Sequence, residues 1–241
     1  PGVRVGAIVG STKGSGSAAA LADRLGAKVV APEALAEQGC TWVVEAAGGV
    51  AVRAHMPTLW AKGVHTIIMS IGALVDEEVY AAYTRAREQG TKVILPSGGI
   101  AGLDGVRALA AAGGLLSASI TTTKAPAGLR GAPYLERYGI ELPEDRAVTV
   151  FEGSARDAVA GFPANVNVAI ALSLAGMGPD ATRVIIRSDP AATRTQQLIV
   201  AEGAAALLEV RVASNPSPSN PRTSYLAGAS AVAALREAAI T

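Results

Sequence analysis

The chain has 241 residues, half of them hydrophobic but only 4% aromatic, and a formal net charge of +1. That length allows one large domain or two small ones, with a core of closely packed Ala, Val, Leu and Ile. The near-neutral balance gives no electrostatic case for nucleic acid or an anionic membrane.

No apolar run reaches the roughly 20 residues of a membrane helix. Cys40 is the single cysteine, so no internal disulfide forms, which fits a reducing cytoplasm. It reads as a small buried hydrophobe in the turn before a strand. No metal site is expected. The chain begins at Pro1 without a methionine or a visible signal peptide, so a true N-terminus is expected to have been removed or to lie outside this sequence.

In chain order, Val3 to Val9 is a short apolar run bounded by Pro-Gly and Gly-Ser, the pattern of a buried strand. Ser17 to Leu25 predicts a helix and Ala27 to Val30 a second short strand. Thr41 to Ala46, Val64 to Ser70 and Thr91 to Pro96 are three further buried-strand runs. Helical patterns at Val50 to Lys62 and Asp76 to Gln89 separate them. Strands alternating with helices argue for βαβ units and a parallel sheet covered on both faces. In such sheets ligands sit beyond the carboxyl ends of the strands. Those ends read Glu45-Ala46-Ala47-Gly48, Ser70-Ile71-Gly72-Ala73 and Ser97-Gly98-Gly99, small residues that let a ligand approach the backbone.

The pattern then changes. Leu115 to Thr123, Ala147 to Glu152, Thr182 to Ser188, Gln197 to Ala201 and Ala205 to Val212 are five strand-like runs, interrupted only by one helical stretch. Such a succession predicts an antiparallel or mixed sheet in a second domain. Asn215 to Arg222 reads as a Pro/Ser/Asn hinge in extended structure. A helix over Pro221 to Glu237 is predicted next, with Asn220 as N-cap and Pro221 at its first position.

The interrupting stretch, Phe151 to Gly176, places Asn165 and Asn167 after a Phe-Pro pair and before an apolar, small-residue run. Pro163, without a backbone donor, suits a helix entry. Burying side-chain amides costs energy unless each finds a partner, so the asparagines are either local caps or ligand contacts.

This stretch resembles the signature of the L-aspartate dehydrogenase family, whose members carry a similar Phe-Pro-x-Asn-x-Asn-Val run. Further matches follow in the family's order: Val44-Glu45-Ala46-Ala47-Gly48, Met69 to Leu74, Pro96 to Asp104, Thr122-Thr123-Lys124, Asp189-Pro190 and Asn220 to Ser224. Together they cover nearly the whole chain. The resemblance implies an α/β fold, with a Rossmann-like parallel-sheet domain from 1–97 and 217–241. A substrate and dimerisation domain of α+β type is implied from 98–216, and a homodimer is expected on its open, apolar sheet face.

The family's opening Gly-x-Gly-x-x-Gly turn, which cradles a pyrophosphate at a helix N-terminus, has no good counterpart. Gly6 to Gly10 lies within a strand, and Gly14-Ser15-Gly16 lacks the third glycine in register. By the family pattern Pro1 to Arg4 resembles the loop into the second strand. The Rossmann domain is then N-terminally incomplete by one βα unit, and weak dinucleotide binding is expected of these residues alone. At the end of the second strand, where an NAD site places a carboxylate against the ribose, the chain has Gly10 or Ser11, followed by Thr12 and Lys13. Those side chains suit a 2′-phosphate, so NADP or NAD is expected; a solvated loop is the other reading.

The same resemblance implies cofactor contacts at Gly99 and Asn167, and the strand ends add Ala47, Gly48 and Ser70. Lys124 and Asn165 are the substrate-side candidates; Lys124 either holds a substrate carboxylate or is an exposed loop lysine. In the family a histidine follows the Asp-Pro turn, and that position falls on Gln197. Glutamine exchanges hydrogen bonds but no proton near neutral pH. His55 and His65 read as structural or surface residues. The activity implied is oxidation of a small amino dicarboxylate, L-aspartate, to iminosuccinate, which feeds NAD biosynthesis or hydrolyses to oxaloacetate and ammonia. The alternatives are a weakened or non-catalytic dimeric nucleotide-binding module, or a related reductase with a different substrate.

Overall fold

A computed structural model of the chain describes residues 3–10, 15–163, 166–218 and 220–239; Ser11 and Asn165 lie outside them. The chain divides into two compact units, Pro1–Pro96 with Ala231–Thr241, and Ser97–Ser230.

In the first unit β1 (Ala7–Ile8) and β2 (Lys28–Val29) pair in parallel, with α1 (Ser15–Leu25) between them. A separate parallel sheet runs in the order β3 (Trp42–Glu45), β4 (His65–Ile68), β5 (Val93–Ile94). Its crossovers are α2 (Gly49–Ala61) and α3 (Glu77–Glu88), because parallel neighbours need a long connection to return the chain to the same end. The run Val3 to Val9 contributes only Ala7 and Ile8 to a ladder, since β2 offers just Lys28 and Val29 as partners.

Helix α2 turns Val52, Met56, Leu59 and Trp60 inward, spaced by one helical face. Trp60 is 1% exposed, so its indole N–H needs a partner; it donates to Thr66 Oγ1 on β4 at 2.8 Å. Its ring meets Tyr83 of α3 edge-on at 6.2 Å between centroids. Replacing such a residue by Ala typically costs about 3–5 kcal/mol. Helix α3 starts on Asp76, whose carboxylate accepts from the amides of Glu78 and Val79. Glu77 and Glu78 in its first turn and Arg85 and Arg87 in its last complement the helix dipole.

In the second unit one mixed sheet of five strands has the order β10-β9-β6-β8-β7. The strands are β6 (Leu115–Lys124), β7 (Val148–Ser154), β8 (Arg183–Ser188), β9 (Thr195–Gly203) and β10 (Leu207–Ser214). β6 is central, antiparallel to β9 and parallel to β8. Side chains alternate across a strand, so Ala118, Ile120 and Thr122 of β6 share the buried face with Gln197, Ile199 and Ala201 of β9. Thr121, Leu198, Val200 and Ile185 lie on the other, partly exposed face.

Helices α4 (Leu103–Ala111) and α7 (Asn167–Ala175) pack on each other and on the buried face. α7 is apolar all round, and its one buried hydroxyl, Ser173, donates to the carbonyl of Ala169 at 2.7 Å.

Two expectations are corrected. The strands of this unit are interrupted by more than one helix, for α5 (Pro133–Tyr138) and α6 (Ala155–Gly161) are present as well. α5 supplies Tyr134, which meets Phe151 at 5.2 Å and Phe162 at 5.4 Å between centroids. That cluster gives an aromatic-poor chain a local anchor for two short helices. The predicted helix from Pro221 begins later. Asn220–Ser224 is strand β12, paired antiparallel with β11 (Pro216–Ser217), and α8 spans Tyr225–Ala238. Proline's fixed φ suits a strand as well as a first helical turn, and here backbone pairing decides.

Candidate active site residues and family

In the first unit the carboxyl ends of β3 and β4 are tied together by Glu45. Its side chain is 4% exposed and accepts four hydrogen bonds. Oε1 takes the amides of Ala47 at 2.7 Å and Gly48 at 2.9 Å, and the hydroxyl of Ser70 at 2.8 Å. Oε2 takes the amide of Ser70 at 3.0 Å. The Ser70 hydroxyl in turn accepts from Gly48 N–H at 3.1 Å. A buried carboxylate is tolerated only when its lone pairs are filled in this way. Gly48 holds φ +104°, a conformation that a side chain at this position would strain.

Of the residues expected at this edge, the structure brings Ala47, Gly48 and Ser70 together around Glu45. Their amides are already committed to it, and the carbonyls of Glu45, Gly48 and Ser70 accept from Met69, from Ala51 and Val52, and from Ala73, so a ligand here meets small side chains and van der Waals surface. Gly10 lies just past β1, where a Cβ would fall 2.4 Å from that of Ala18 on α1. Its lack of a side chain lets strand and helix approach. Small residues at the strand ends fit a dinucleotide, which needs close backbone approach. The two histidines are occupied elsewhere: His65 Nδ1 accepts from the amide of Lys92 at 3.2 Å, and His55 faces Glu33 at 3.7 Å.

In the second unit Gly98 and Gly99 lie against Val168 of α7, and a Cβ on Gly99 would meet Ser224 Oγ at 3.5 Å. Gly98 has φ +65° and donates its amide to Ser230 Oγ at 3.2 Å. Asn167 is the first residue of α7, and its N-cap is Val166, which has no capping side chain.

On the sheet, Gln197 is 6% exposed, and its Oε1 accepts from Thr122 Oγ1 at 2.7 Å. Two positions further along β6 is Lys124, which pairs in register with Ser188. Burial pushes the Lys124 ammonium below its ordinary value by desolvation, so it is no freely exposed loop lysine. The hydroxyls of Ser188, Ser214 and Ser224 are buried, without a hydrogen-bond partner among the described residues.

These serines and Thr122 were not singled out from sequence as site residues. The signal available was parity: Thr122 and Lys124 share a face, and Ser188 ends a strand before Asp189-Pro190. A shallow depression of about 290 Å³ lies at the other end of β7 and β8, lined by residues including Glu152, Ser154, Asp180 and Arg183. Its charges are already paired, Arg183 with Glu152 and Arg156 with Asp180. It is remote in register from Lys124 and Gln197 and is not the candidate site.

Residues 2–96 match the family model described as homoserine dehydrogenase, NAD binding domain, and residues 104–238 match aspartate dehydrogenase, C-terminal. A Methanosarcina barkeri protein named L-aspartate dehydrogenase is 44% identical over 202 residues, 83% of this chain and 74% of its own length. A relative of the same name from Nitrosopumilus maritimus is 40% identical over 84% of the chain and 75% of its own length. The crystal structure of aspartate dehydrogenase from Thermotoga maritima superposes with a TM-score of 0.68, covering 98% of this chain and 95% of that one. At 22% identity it speaks for the fold. With two consecutive domain matches and relatives above 40% identity over most of its length, the chain belongs to the L-aspartate dehydrogenase family.

Proposed function

We propose that this chain is an NAD(P)-dependent oxidoreductase that oxidises L-aspartate at its amine-bearing carbon to iminosuccinate, for NAD biosynthesis or for hydrolysis to oxaloacetate and ammonia. The observation that carries the reading is the 44% identity to a named L-aspartate dehydrogenase over 83% of the chain. The nicotinamide supplies the hydride acceptor. Residues 1–97 and 217–241 are assigned to the dinucleotide part, with Gly10, Ala47, Gly48 and Ser70 on its ligand edge and Ser11 as a further cofactor-binding candidate. Gly99 and Asn167 serve the nicotinamide side. Residues 98–216 take the substrate.

There Lys124, held in a poorly solvated position, attracts a substrate carboxylate more strongly than an exposed ammonium would. Asn165 is the second substrate contact. Gln197 uses its carbonyl on Thr122, leaving its N–H donors to orient a carboxylate or imine. The half-buried face carrying Thr121, Leu198, Val200 and Ile185 supports a homodimer. Among the described residues no helix is long and apolar enough to cross a membrane, and a lone cysteine supports a cytoplasmic setting.

Purified protein should consume NADPH or NADH with oxaloacetate and ammonium. No turnover with either nucleotide, in either direction and at nucleotide concentrations high enough to offset weak binding, would overturn the assignment. A second reading, a weakened homologue, is favoured by one observation: Gln197, buried and hydrogen-bonded, occupies the place read as the family's histidine and cannot exchange a proton. Fast turnover with aspartate would dismiss it.

A further inference from the structure

We propose that Glu45 is the positioning residue of the dinucleotide edge in the first unit, and that it makes this edge refuse phosphate while accepting the nicotinamide end of the cofactor. The inference rests on the dinucleotide reading above. Three amides at the strand ends, those of Ala47, Gly48 and Ser70, point at one carboxylate rather than outward. Amides turned outward at such a place would form an anion nest. Here they are filled by an internal anion, and its charge lies directly beneath the surface a ligand would touch. A phosphate placed there would find no donor among these amides and a like charge behind them. A ring with cationic character would find a favourable field instead.

The geometry also explains why a carboxylate is needed. An amide side chain has one acceptor oxygen and two donors. Glu45→Gln can keep the Ala47, Gly48 and Ser70 hydroxyl bonds on its oxygen. Its NH2 would then face the Ser70 amide, donor against donor. The alternative rotamer loses the three bonds on Oε1. The first arrangement leaves the Ser70 amide facing a donor and the second frees the loop from Ala46 to Gly48, so either one weakens the tie between the ends of β3 and β4. Glu45 touches neither substrate nor reacting atoms and acts only through the groups it orients.

The test measures NADH and NADPH binding by fluorescence titration for the parent, Glu45→Gln and Ser70→Ala, beside steady-state kinetics. Losing one charge-assisted bond, and leaving its donor unpaired, corresponds to about 10-fold weaker dinucleotide binding for Glu45→Gln. Ser70→Ala, which keeps the carboxylate but removes the bridging hydroxyl, should weaken binding by about 3-fold to 10-fold. In both variants the KM for the dinucleotide should rise while that for aspartate stays within about 2-fold. Amide exchange at Ala47 and Gly48 should quicken in step. Should Glu45→Gln fail to fold, Glu45→Asp, which keeps the charge but withdraws it from these amides, takes its place and should weaken dinucleotide binding likewise. Unchanged dinucleotide affinity in folded variants, or equal loss for aspartate and dinucleotide, would overturn the role of Glu45. A parent that binds neither nucleotide would overturn the dinucleotide reading and take this inference with it.

Discussion

Thr122 and Gln197 stand opposite each other on β6 and β9, and the threonine hydroxyl donates to Gln197 Oε1 at 2.7 Å. Both side chains are buried, at 3% and 6% exposure. The bond holds one end of a buried amide. It ties the orientation of Gln197 to the register of the sheet.

Thr122→Val keeps the shape of the threonine and removes only its hydroxyl, leaving a buried acceptor on Gln197 without this donor. The expected loss of stability is about 1–3 kcal/mol. Urea unfolding with an unchanged m-value would measure it, and a loss below the error of the fit would show that the bond contributes nothing net.

Gln197→His introduces a group that exchanges protons near neutral pH. General acid–base groups contribute about 10²–10⁴-fold, so turnover with aspartate should rise toward that range while dinucleotide affinity stays nearly unchanged. Flat aspartate turnover, with another substrate processed quickly by the glutamine form, would favour the different-substrate reading. A preparation in which neither form turned over any candidate would point to the non-catalytic module.

Gly10→Ala places a methyl group where Ala18 Cβ already lies, 2.4 Å away. Strand end and helix must separate, and overpacking of this kind costs about 1–3 kcal/mol. Thermal unfolding should show a fall of a few degrees for each kcal/mol, about 2–4 °C in a chain of this size. The same change at Gly26, where a Cβ would meet nothing within 4 Å but φ is +62°, serves as a control for backbone strain alone.

Lys124 gives a pH-dependent signature. Burial lowers its pKa in the folded state from the ordinary 10.5, so the unfolded chain binds the extra proton more tightly. The desolvation cost is fully present below the folded value. Stability contributed by this residue therefore rises with pH from that value up to the ordinary one. Lys124→Met should be more stable than the parent near neutral pH, and the difference should shrink as pH rises into the alkaline range. Parallel stability–pH curves for the two proteins would contradict the burial effect.

Sequence alone determined the element types of the first unit's alternating strands and helices, while α5, α6 and β12 escaped it. Alternation of small apolar strands with helical patterns placed β3, β4, β5, α2 and α3 to within a few residues, because short-range periodicity reports which face of a segment is buried. It also marked Gln197, Lys124 and the strand-end glycines as residues to watch. Tertiary structure alone decided which of them meet. Thr122 and Gln197 are 75 positions apart, and Ser70 is 25 from Glu45. No local pattern encodes a hydrogen bond that depends on strand order and register. The order β10-β9-β6-β8-β7 puts β6 at the centre, so Thr122 and Lys124 share a buried face with residues from strands distant in sequence. The same limit explains α8: Asn220-Pro221 carries a helix-start signal, but pairing with Pro216 and Ser217 satisfies the backbone first, and the helix waits until Tyr225.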